Sequence, residues 1–406
     1  RGLPSFIQDL EFEDMLHGRV INPPSPSARL ESVDEAALRA LTGIVDVARD
    51  GTFLALIAQD EINAIRAAER AERHCRWSEA DNAPTDPIAA VDGTEAEIEI
   101  GFEQGSIPSS GAQEFSTVVS RPFLTHGSIG PSCAIALWEG DRLIVHTHSQ
   151  SVFPLKRSLC GVFDLGEDKV DVIHVPGSGC YGHNGADDVA LDAALAARVV
   201  KGRPVRVQWS RKDEFARAPL APAMVTRASA VLGDDGLIQS FDVEVRSPPH
   251  NRRPGGSKAV NLLAATHLKE PFALPPAVEH AIAIGGSSDR NSVPSYGIAN
   301  MRSRKRVERD LPWRTSAMRG LGAFVNVFAI ETLMDDIAAG LNRDPLDYRL
   351  AHAEDSRIAA VLKRVGEMAN WPGTSDDGSA LGLAYSRYKN SAAYCAVITR
   401  VVLDED

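Results

Sequence analysis

The sequence is poor in the features that define several large classes of protein. It has five cysteines in 406 residues, and no two of them form a CxxC pair. We therefore expect reduced thiols, and neither a disulfide framework nor a zinc finger. Iron–sulfur clusters held by the cysteines of this chain alone are not expected either, because such clusters need closely spaced thiolate ligands.

Long apolar runs and long basic runs are also missing. No stretch of about 18 consecutive apolar residues is present, so we do not expect an integral membrane protein. The net charge is −12 at pH 7, which disfavours binding to a nucleic-acid backbone through counterion release.

What remains is a globular composition with 44% hydrophobic residues, enough for two or three domains. Mixed strand and helix patterns indicate an α+β fold, with strands over 15–21 and 52–58 and helices over 60–77, 186–200 and 324–340. Residues 80–118 are rich in Gly, Pro, Ser and acidic residues, which is typical of a surface linker. Residues 248–300 are Pro- and Gly-rich and long for a loop, which indicates a functional or partner-facing surface.

The chain begins without Met and ends after a strand-like run, so we expect a piece of a longer product.

The first candidate site is the glycine-rich loop "GSGCYGHNGADD", residues 177–188, which lies between a predicted strand and a predicted helix. Glycines allow backbone N–H groups to approach an anion, and the helix dipole favours negative charge there. Asp187 and Asp188 favour the helix start and would repel an anion on its axis, so the ligand should lie against the loop. The alternative is a tight turn that needs positive φ.

The loop does not match a P-loop, and a dinucleotide site would need a ribose-binding acid about 20 residues later. The nearest acids in that region are Asp213 and Glu214. Cys180, inside the loop, is either a reactive thiol or a small residue that fills space.

The second candidate is the segment 312–338, in which Arg314 and Arg319 flank a small-residue turn before a helix. Arginines in such a turn are well placed for an anionic ligand. The alternative is that they cap carbonyls or pair with Glu331 or Asp335.

The third candidate is "IVHTHSQS", residues 144–151, where His146, His148 and Gln150 share one face of a predicted strand. Two histidines at this spacing can chelate a metal, although no third ligand is evident, and polar packing is the alternative. The amide of Gln150 can donate a hydrogen bond to an oxo or phosphate oxygen.

Taken together, "HSQSVFPLKRSL", "GSGCYGHNGADDVALDAALAARVVKGRPVRVQWSRKDE", "SSDRNSVPSY" and "WRTSAMRGLGAFVNVFAIETLMDDIA" resemble the molybdopterin-binding large subunit of the xanthine dehydrogenase and aldehyde oxidase family. The resemblance is greatest to its isoquinoline 1-oxidoreductase and nicotinate dehydrogenase branch. It implies an α/β hammerhead domain over 1–80, a linker over 81–118, the first part of a molybdopterin-binding domain over 119–350, and an incomplete second part over 351–406.

The resemblance also implies the cofactor and its contacts. The cofactor would be molybdenum held by a molybdopterin, in its cytosine dinucleotide form, without protein ligands to the metal. Gln150 falls near the position of the apical oxo group, and Gln150 and Arg319 would be the catalytic residues. The implied cofactor contacts are Gln150, Gly179, Tyr181, Gly182, Arg319, Gly320, Leu321 and Gly322.

The implied reaction hydroxylates an N-heterocycle or an aldehyde with oxygen from water. Electrons would leave through a two-iron two-sulfur small subunit, followed by an FAD or cytochrome c (haem) subunit. The family's general-base glutamate lies in a later glycine-flanked motif, so no glutamate of this chain is given that role. Asn184 and Gly185 stand where purine-specific members have a glutamate, so a purine substrate is not supported.

Two questions stay open at this point. The resemblance is compatible with the bacterial cytoplasm, or with the periplasm if the chain is exported with a partner. It is also compatible with a truncated or degenerate relative that acts as a binding or assembly module without catalysis.

Overall fold

The structure is a computed structural model that describes residues 4–78, 83–108, 113–254, 260–372 and 379–402. Its helices and strands are mixed along the chain, as the α+β prediction expected. The helices, in chain order, are α1 (Glu35–Arg39), α2 (Glu61–Ala71), α3 (Pro87–Asp92), α4 (Val152–Phe163), α5 (Ala186–Val199), α6 (Arg211–Arg217), α7 (Ala323–Gly340), α8 (Pro345–Ala351) and α9 (Ser356–Ala369). The strands are β1 (Leu16–Val20), β2 (Leu30–Val33), β3 (Ile44–Asp50), β4 (Phe53–Ala58), β5 (Cys75–Trp77), β6 (Ile98–Gln104), β7 (Gln113–Arg121), β8 (Cys133–Glu139), β9 (Arg142–Thr147), β10 (Val170–His174), β11 (Val205–Gln208), β12 (Met224–Leu232), β13 (Ile238–Ser247), β14 (Asn300–Val307), β15 (Ala380–Arg387) and β16 (Tyr394–Val401).

A seven-stranded sheet in the order β10-β9-β8-β11-β1-β4-β3 crosses the domain boundary predicted near residue 80. Strand β1 runs parallel to β11, with Leu16 opposite Val205, so the N-terminal elements extend the sheet built by β8–β11. The predicted strands over 15–21 and 52–58 are confirmed as β1 and β4. The predicted helix over 60–77 is shorter, because α2 ends at Ala71 and β5 follows.

Helix α5 is the centre of the first core. It packs against β8, β9 and β11, and its residues from Ala186 to Ala197 are all buried. Its many alanines allow the helix backbone to approach the sheet closely, which a helix of larger side chains could not do. The helix predicted over 186–200 is confirmed, and its N-terminus is held rigidly behind the glycine-rich loop.

The prediction of a linker over 81–118 is wrong. Helix α3 and strand β6 lie in this stretch, and β7 begins in it; the strands form the two edges of a five-stranded sheet, β6-β14-β13-β12-β7. Most residues of β6 are exposed, so the strand has the polar composition of a linker. Backbone pairing with β14, about 200 residues later, determines its conformation.

The segment 248–300, predicted to form a functional or partner-facing surface, also contributes to the two hydrophobic cores. Its described part has short 3-10 turns as its only helical structure, yet Leu262 and Ala264 are buried in the core around α5. Tyr296 and Ile298 are buried in the second core, beside α7. The segment therefore contributes residues to both cores, and the stretch 269–285 between them is exposed or half-buried.

Helix α7 lies against β7 and β12 and forms the second core with α8, α9 and the β15–β16 hairpin. The helix predicted over 324–340 is confirmed. In the described part of the chain, no helix is both long enough and apolar enough to span a bilayer.

Candidate functional site

The glycine-rich loop and the turn before α7 pair with each other like two short strands. Gly182 and Met318 form an isolated antiparallel bridge. The Arg319 N–H donates to the Tyr181 carbonyl at 2.6 Å, and the His183 N–H donates to the Ala317 carbonyl at 2.7 Å. The structure therefore brings together the first two candidates from the sequence.

Gly182 has to be glycine for this pairing to form. Its φ is +139°, a conformation that residues with a side chain rarely adopt. A Cβ atom there would lie 2.1 Å from the Ala317 oxygen. The alternative interpretation of the loop, a turn that needs positive φ, is therefore also correct at this position.

The buried hydroxyl of Ser316 connects the paired loops to a third segment. It accepts a hydrogen bond from the Arg252 backbone N–H at 2.9 Å and lies 2.9 Å from Nδ1 of His183. Nε2 of His126 donates to the Ala317 carbonyl at 3.0 Å. Burial lowers the pKa of His126 to about 4, so this ring is neutral and fixed as a donor through Nε2.

Asp187 ties the segment that carries Gln150 to the start of α5. Its carboxylate accepts a hydrogen bond from the Ser149 hydroxyl, and its other oxygen lies 3.2 Å from Nε2 of His183. All three side chains are buried. Because Ser149 precedes Gln150, the position of the Gln150 backbone is fixed relative to the glycine-rich loop.

Asp188 and Arg314 form a buried two-point salt bridge, with Nη1–Oδ1 at 2.9 Å and Nη2–Oδ2 at 2.6 Å. Burial would raise the pKa of Asp188, but Arg314 outweighs this and the pKa lies below its ordinary value. Two expectations are therefore corrected. The aspartates do more than start a helix, and Arg314 is committed to Asp188 rather than to a ligand, Glu331 or Asp335.

The partner of Glu331 and Asp335 is Arg349, at 2.9 and 2.6 Å. Arg349 and Glu331 are buried, and the cluster stabilises the second core because it joins α7 to α8. No local pattern in the sequence points to Arg349, which is 18 residues away from Glu331.

Gln150 is oriented by a residue that the sequence did not indicate. Nη2 of Arg253 donates to Oε1 of Gln150 at 2.9 Å. A guanidinium has only donors, so the amide oxygen must face it and the amide N–H₂ is directed elsewhere. Gln150 is exposed, and this N–H₂ is available to donate to an oxygen of a ligand.

The turn 319–322 has an unusual backbone. Gly320 and Leu321 have φ of +85° and +54°, and a Cβ on Gly322 would lie 1.9 Å from the Ser288 carbonyl oxygen. The side chain of Arg319 is exposed, and within the described ranges its guanidinium has no hydrogen bond or ion pair. Of the two arginines in this segment, Arg319 is the one available to an anionic ligand.

Gly179 completes the loop. Its φ is +122°, and the Tyr181 hydroxyl lies 3.0 Å from the position a Cβ would occupy. The tyrosine ring therefore lies against Gly179. All eight predicted cofactor contacts thus lie on three segments that are joined by hydrogen bonds.

The two histidines before Gln150 have packing roles. The strand β9 ends at Thr147, so His148 and Gln150 lie beyond it rather than on its face. His148 is buried and accepts a hydrogen bond from the Cys133 N–H at 3.3 Å, while His146 packs against the Phe12 ring. Over the ranges that the structure describes, no group of three His, Cys, Asp or Glu side chains could hold a metal.

The remaining candidates are also explained by local contacts. The Cys180 thiol donates to the Gly182 carbonyl, and burial raises its pKa, so it is not an activated nucleophile. Asp213 caps α6 through Ser210, and Glu214 is buried and accepts from the Ser132 N–H at 2.6 Å. Neither acid is available for a ribose.

The site therefore offers hydrogen-bond donors, and among the described residues it has no group of side chains that could ligate a metal. The Gln150 amide and the Arg319 guanidinium lie on segments that hydrogen bonds join, and the space beside Gly320 is open, because nothing lies within 4 Å of where its Cβ would be. This donor set suits an anionic cofactor that carries its own metal and is held by hydrogen bonds. A pterin dinucleotide is of this kind, so the residues present fit the group that the sequence predicts.

Comparison with known proteins agrees with this chemistry. The family model of the molybdopterin cofactor-binding domain matches residues 100–278 and 278–353. A nicotinate dehydrogenase chain of Pseudomonas putida is 31% identical over 98% of this chain and 34% of its own length. The beta chain of isoquinoline 1-oxidoreductase of Brevundimonas diminuta is 29% identical over 98% of this chain and 51% of its own length. The chain thus spans between a third and a half of these relatives.

Solved structures share the fold. The aldehyde oxidoreductase of Desulfovibrio gigas superposes with a TM-score of 0.73 at 16% identity, over 94% of this chain and 47% of its own. Quinoline 2-oxidoreductase of Pseudomonas putida 86 superposes with a TM-score of 0.71 at 18% identity, over 94% of this chain and 55% of its own. At this level of identity the likeness concerns the fold alone.

Proposed function

Because this chain belongs to the molybdopterin cofactor-binding family of xanthine dehydrogenase and aldehyde oxidase type, we propose that it is the cofactor-binding part of a molybdenum hydroxylase. The substrate class is an N-heterocycle or an aldehyde. When bound, the cofactor would supply two-electron oxidation of the substrate with oxygen taken from water. The observation that carries the proposal is the Gly182–Met318 bridge, because it joins the glycine-rich loop to the turn that presents Arg319.

The residues of the chain would bind and orient the cofactor. The Gln150 amide N–H₂, with its oxygen held by Arg253, would donate a hydrogen bond to an oxygen of the cofactor. The Arg319 guanidinium would neutralise negative charge on the opposite side of the site. Tyr181 and Gly182 would present backbone between them, with Gly179, Gly320, Leu321 and Gly322 shaping the two turns.

We assign the general base to none of the three glutamates, among the described residues, whose pKa is raised by burial. Burial raises the pKa of Glu214, Glu279 and Glu331, which is a property of many catalytic acids and bases. Each is nevertheless committed elsewhere. Glu279 accepts hydrogen bonds from the His250 and Ser288 N–H groups, and Glu331 is paired with Arg349. As the family resemblance implies, we place the base in the family's later glycine-flanked motif.

The finer assignments are part of the same proposal. We assign a cytosine dinucleotide form of the cofactor, a two-iron two-sulfur small subunit and an FAD or cytochrome c subunit. The similar proteins from Pseudomonas putida and Brevundimonas diminuta are each named as one subunit of their enzyme, which supports the existence of partner chains. The location would be the bacterial cytoplasm, or the periplasm after export with a partner.

The test is metal and pterin analysis of the protein purified from its own host with its partner subunits. We expect about one molybdenum and one pterin per chain, and about tenfold lower occupancy in Arg319→Gln. The control is Arg66→Gln, which removes the same charge from an exposed position on α2. Absence of both molybdenum and pterin from the wild-type preparation would contradict the proposal. Full occupancy without turnover would favour the non-catalytic alternative.

A further inference from the structure

One cavity of the structure is not lined by any of the residues assigned to the cofactor. Its volume is about 330 Å³, and it is bounded by the proline-rich segment 22–26, the end of α6, and the segments 263–274 and 311–314. None of the eight predicted cofactor contacts lines it. This size is at the lower end of small-molecule pockets, which is roughly 300 Å³, and it is too small for a dinucleotide.

Four arginines line this cavity, and two of them are neutralised by carboxylates behind its wall. Arg314 is paired with Asp188 at 2.6 Å, and Arg217 with Asp192 at 3.1 Å. Arg217 also stacks on the Trp209 ring, with its guanidinium carbon 4.6 Å from the ring centre. These two arginines are part of the buried framework.

The other two arginines, Arg29 and Arg252, have no ion pair within the described ranges. Nη1 of Arg29 donates to the Ala28 carbonyl at 3.1 Å, and Nη1 of Arg252 donates to the Pro275 carbonyl at 3.4 Å. Nε of Arg252 is buried and has no hydrogen-bond partner among the described residues. Among the described residues, no acidic side chain lines the cavity, although the chain as a whole has a net charge of −12.

The other walls of the cavity are mostly apolar. They include Trp313, Leu263 and Leu274, and the Trp313 ring is supported from one side by Phe123 at 5.1 Å. His267 also lines the cavity, and burial, with Arg217 and Arg29 nearby, lowers its pKa to about 4. This histidine is therefore neutral and leaves the arginines as the source of charge.

We propose that this cavity binds a small aromatic monocarboxylate, with its carboxylate between Arg29 and Arg252 and its ring against Trp313. A guanidinium binds a carboxylate in a planar two-point geometry, and an indole face favours a flat ring. Inorganic phosphate would pair with the two arginines but would make no contact with the apolar wall. A neutral aromatic molecule would contact that wall but would leave both arginines without an anionic partner.

Calorimetric titration of the full chain with benzoate tests this assignment. We expect saturable binding with a Kd below about 1 mM, and at least about tenfold weaker binding of benzamide, which has nearly the same shape without the charge. Arg252→Gln and Arg29→Gln should each weaken benzoate binding about tenfold or more, whereas Arg66→Gln should change it less than about twofold.

The same titration contains the results that would overturn the assignment. Absence of saturable benzoate binding, equal binding of benzamide, or equal binding of inorganic phosphate would each do so. If Arg252→Gln does not fold, Arg29→Gln still tests the charge because Arg29 is exposed. Leu274→Trp would fill the cavity without changing its charge, and unchanged benzoate affinity in that variant would also refute the site.

Discussion

The Arg314 guanidinium holds the Asp188 carboxylate through two contacts, at 2.9 and 2.6 Å, across 126 residues of sequence. Asp188 also accepts a hydrogen bond from the Leu263 N–H at 2.7 Å. The Asp188 side chain therefore holds together the first turn of α5, the segment after 260, and the residues that lead into the turn 316–322. The positions of the glycine-rich loop and of Arg319 both depend on Asp188.

Removal of Arg314 should therefore destabilise the whole chain. In Arg314→Met, Asp188 stays buried without its partner, and we expect the free energy of unfolding to fall by about 3–5 kcal/mol. Urea unfolding followed by circular dichroism measures this change. The exposed pair Arg142–Asp171 provides the control, because Asp171→Asn should cost less than about 1 kcal/mol.

A double variant separates the pair from its surroundings. Arg314→Met combined with Asp188→Leu removes the buried charge as well, so the loss should be smaller than in Arg314→Met alone. If the double variant were less stable than the single variant by the full cost of Asp188→Leu, the two side chains would not act as a pair.

The Gly182–Met318 pairing makes a second prediction. In Gly182→Ala, the new Cβ would meet the Ala317 oxygen at 2.1 Å, so the glycine-rich loop must move away from the turn 316–319. We expect a loss of at least about 3 kcal/mol in unfolding free energy, and loss of pterin from the holoenzyme. Fluorescence of the released pterin, measured after denaturation, reports the second effect.

Gly140→Ala is the matched control for this variant. Gly140 also has positive φ, +63°, but nothing lies within 4 Å of the position of its Cβ. It should cost about 1–2 kcal/mol from backbone strain alone and leave the pterin content unchanged. Equal pterin loss in the two variants would mean that the contact between the loops does not position the cofactor.

Features that depend on neighbouring residues in the chain are predicted from the sequence better than features that depend on distant ones. Gln150, Tyr181, Gly182 and Arg319 lie in short motifs whose chemistry is local, and the structure places them on segments that hydrogen bonds join. Helices α5 and α7 have regular apolar spacing, and their predicted bounds lie within one residue of the observed ones. These features depend on neighbouring residues in the chain, which a sequence displays directly.

The failures concern long-range pairing. Strand β6 has the composition of a linker because most of its residues face solvent, and it is a strand because β14 lies beside it. Likewise, nothing local indicates that Arg314 belongs to Asp188 or that Arg253 belongs to Gln150. Such pairs are selected by the folded backbone, so the sequence alone leaves an arginine near a glycine turn as a ligand candidate.

Buried histidines make the stability depend on pH. Burial lowers the pKa of His126, His148 and His267 to about 4, whereas the unfolded chain has ordinary values near about 6.5. Between these values the unfolded state binds protons that the folded state does not. Stability should therefore fall as the pH is lowered from about 6.5 to 4, by on the order of 3 kcal/mol for each histidine.

Urea unfolding at several pH values in this window measures how steeply the free energy of unfolding depends on pH. This slope should correspond to uptake of about three protons or more on unfolding near pH 5. His126→Gln should reduce the uptake by about one proton. A slope that is the same in His126→Gln and in the wild type would contradict the assignment of a neutral buried ring.

The cysteines make the last prediction, which concerns the glycine-rich loop directly. Burial raises the pKa of Cys180 and raises that of Cys133 to about 12, whereas Cys395 is exposed. Because the thiolate is the reactive form, iodoacetamide at about pH 7.5 should label Cys395 first and Cys180 at least about tenfold more slowly. Peptide mass spectrometry over a time course measures both rates.

Cys180→Ala tests whether this thiol has any further role at the site. Its Sγ contacts the Gly182 carbonyl at 3.2 Å, a weak hydrogen bond whose loss should cost less than about 1 kcal/mol. We therefore expect molybdenum and pterin contents equal to those of the wild type, with Cys395→Ala as the control for loss of an exposed thiol. Rapid alkylation of Cys180, or loss of cofactor from Cys180→Ala alone, would show that the thiol takes part in the chemistry of the loop rather than filling space beneath it.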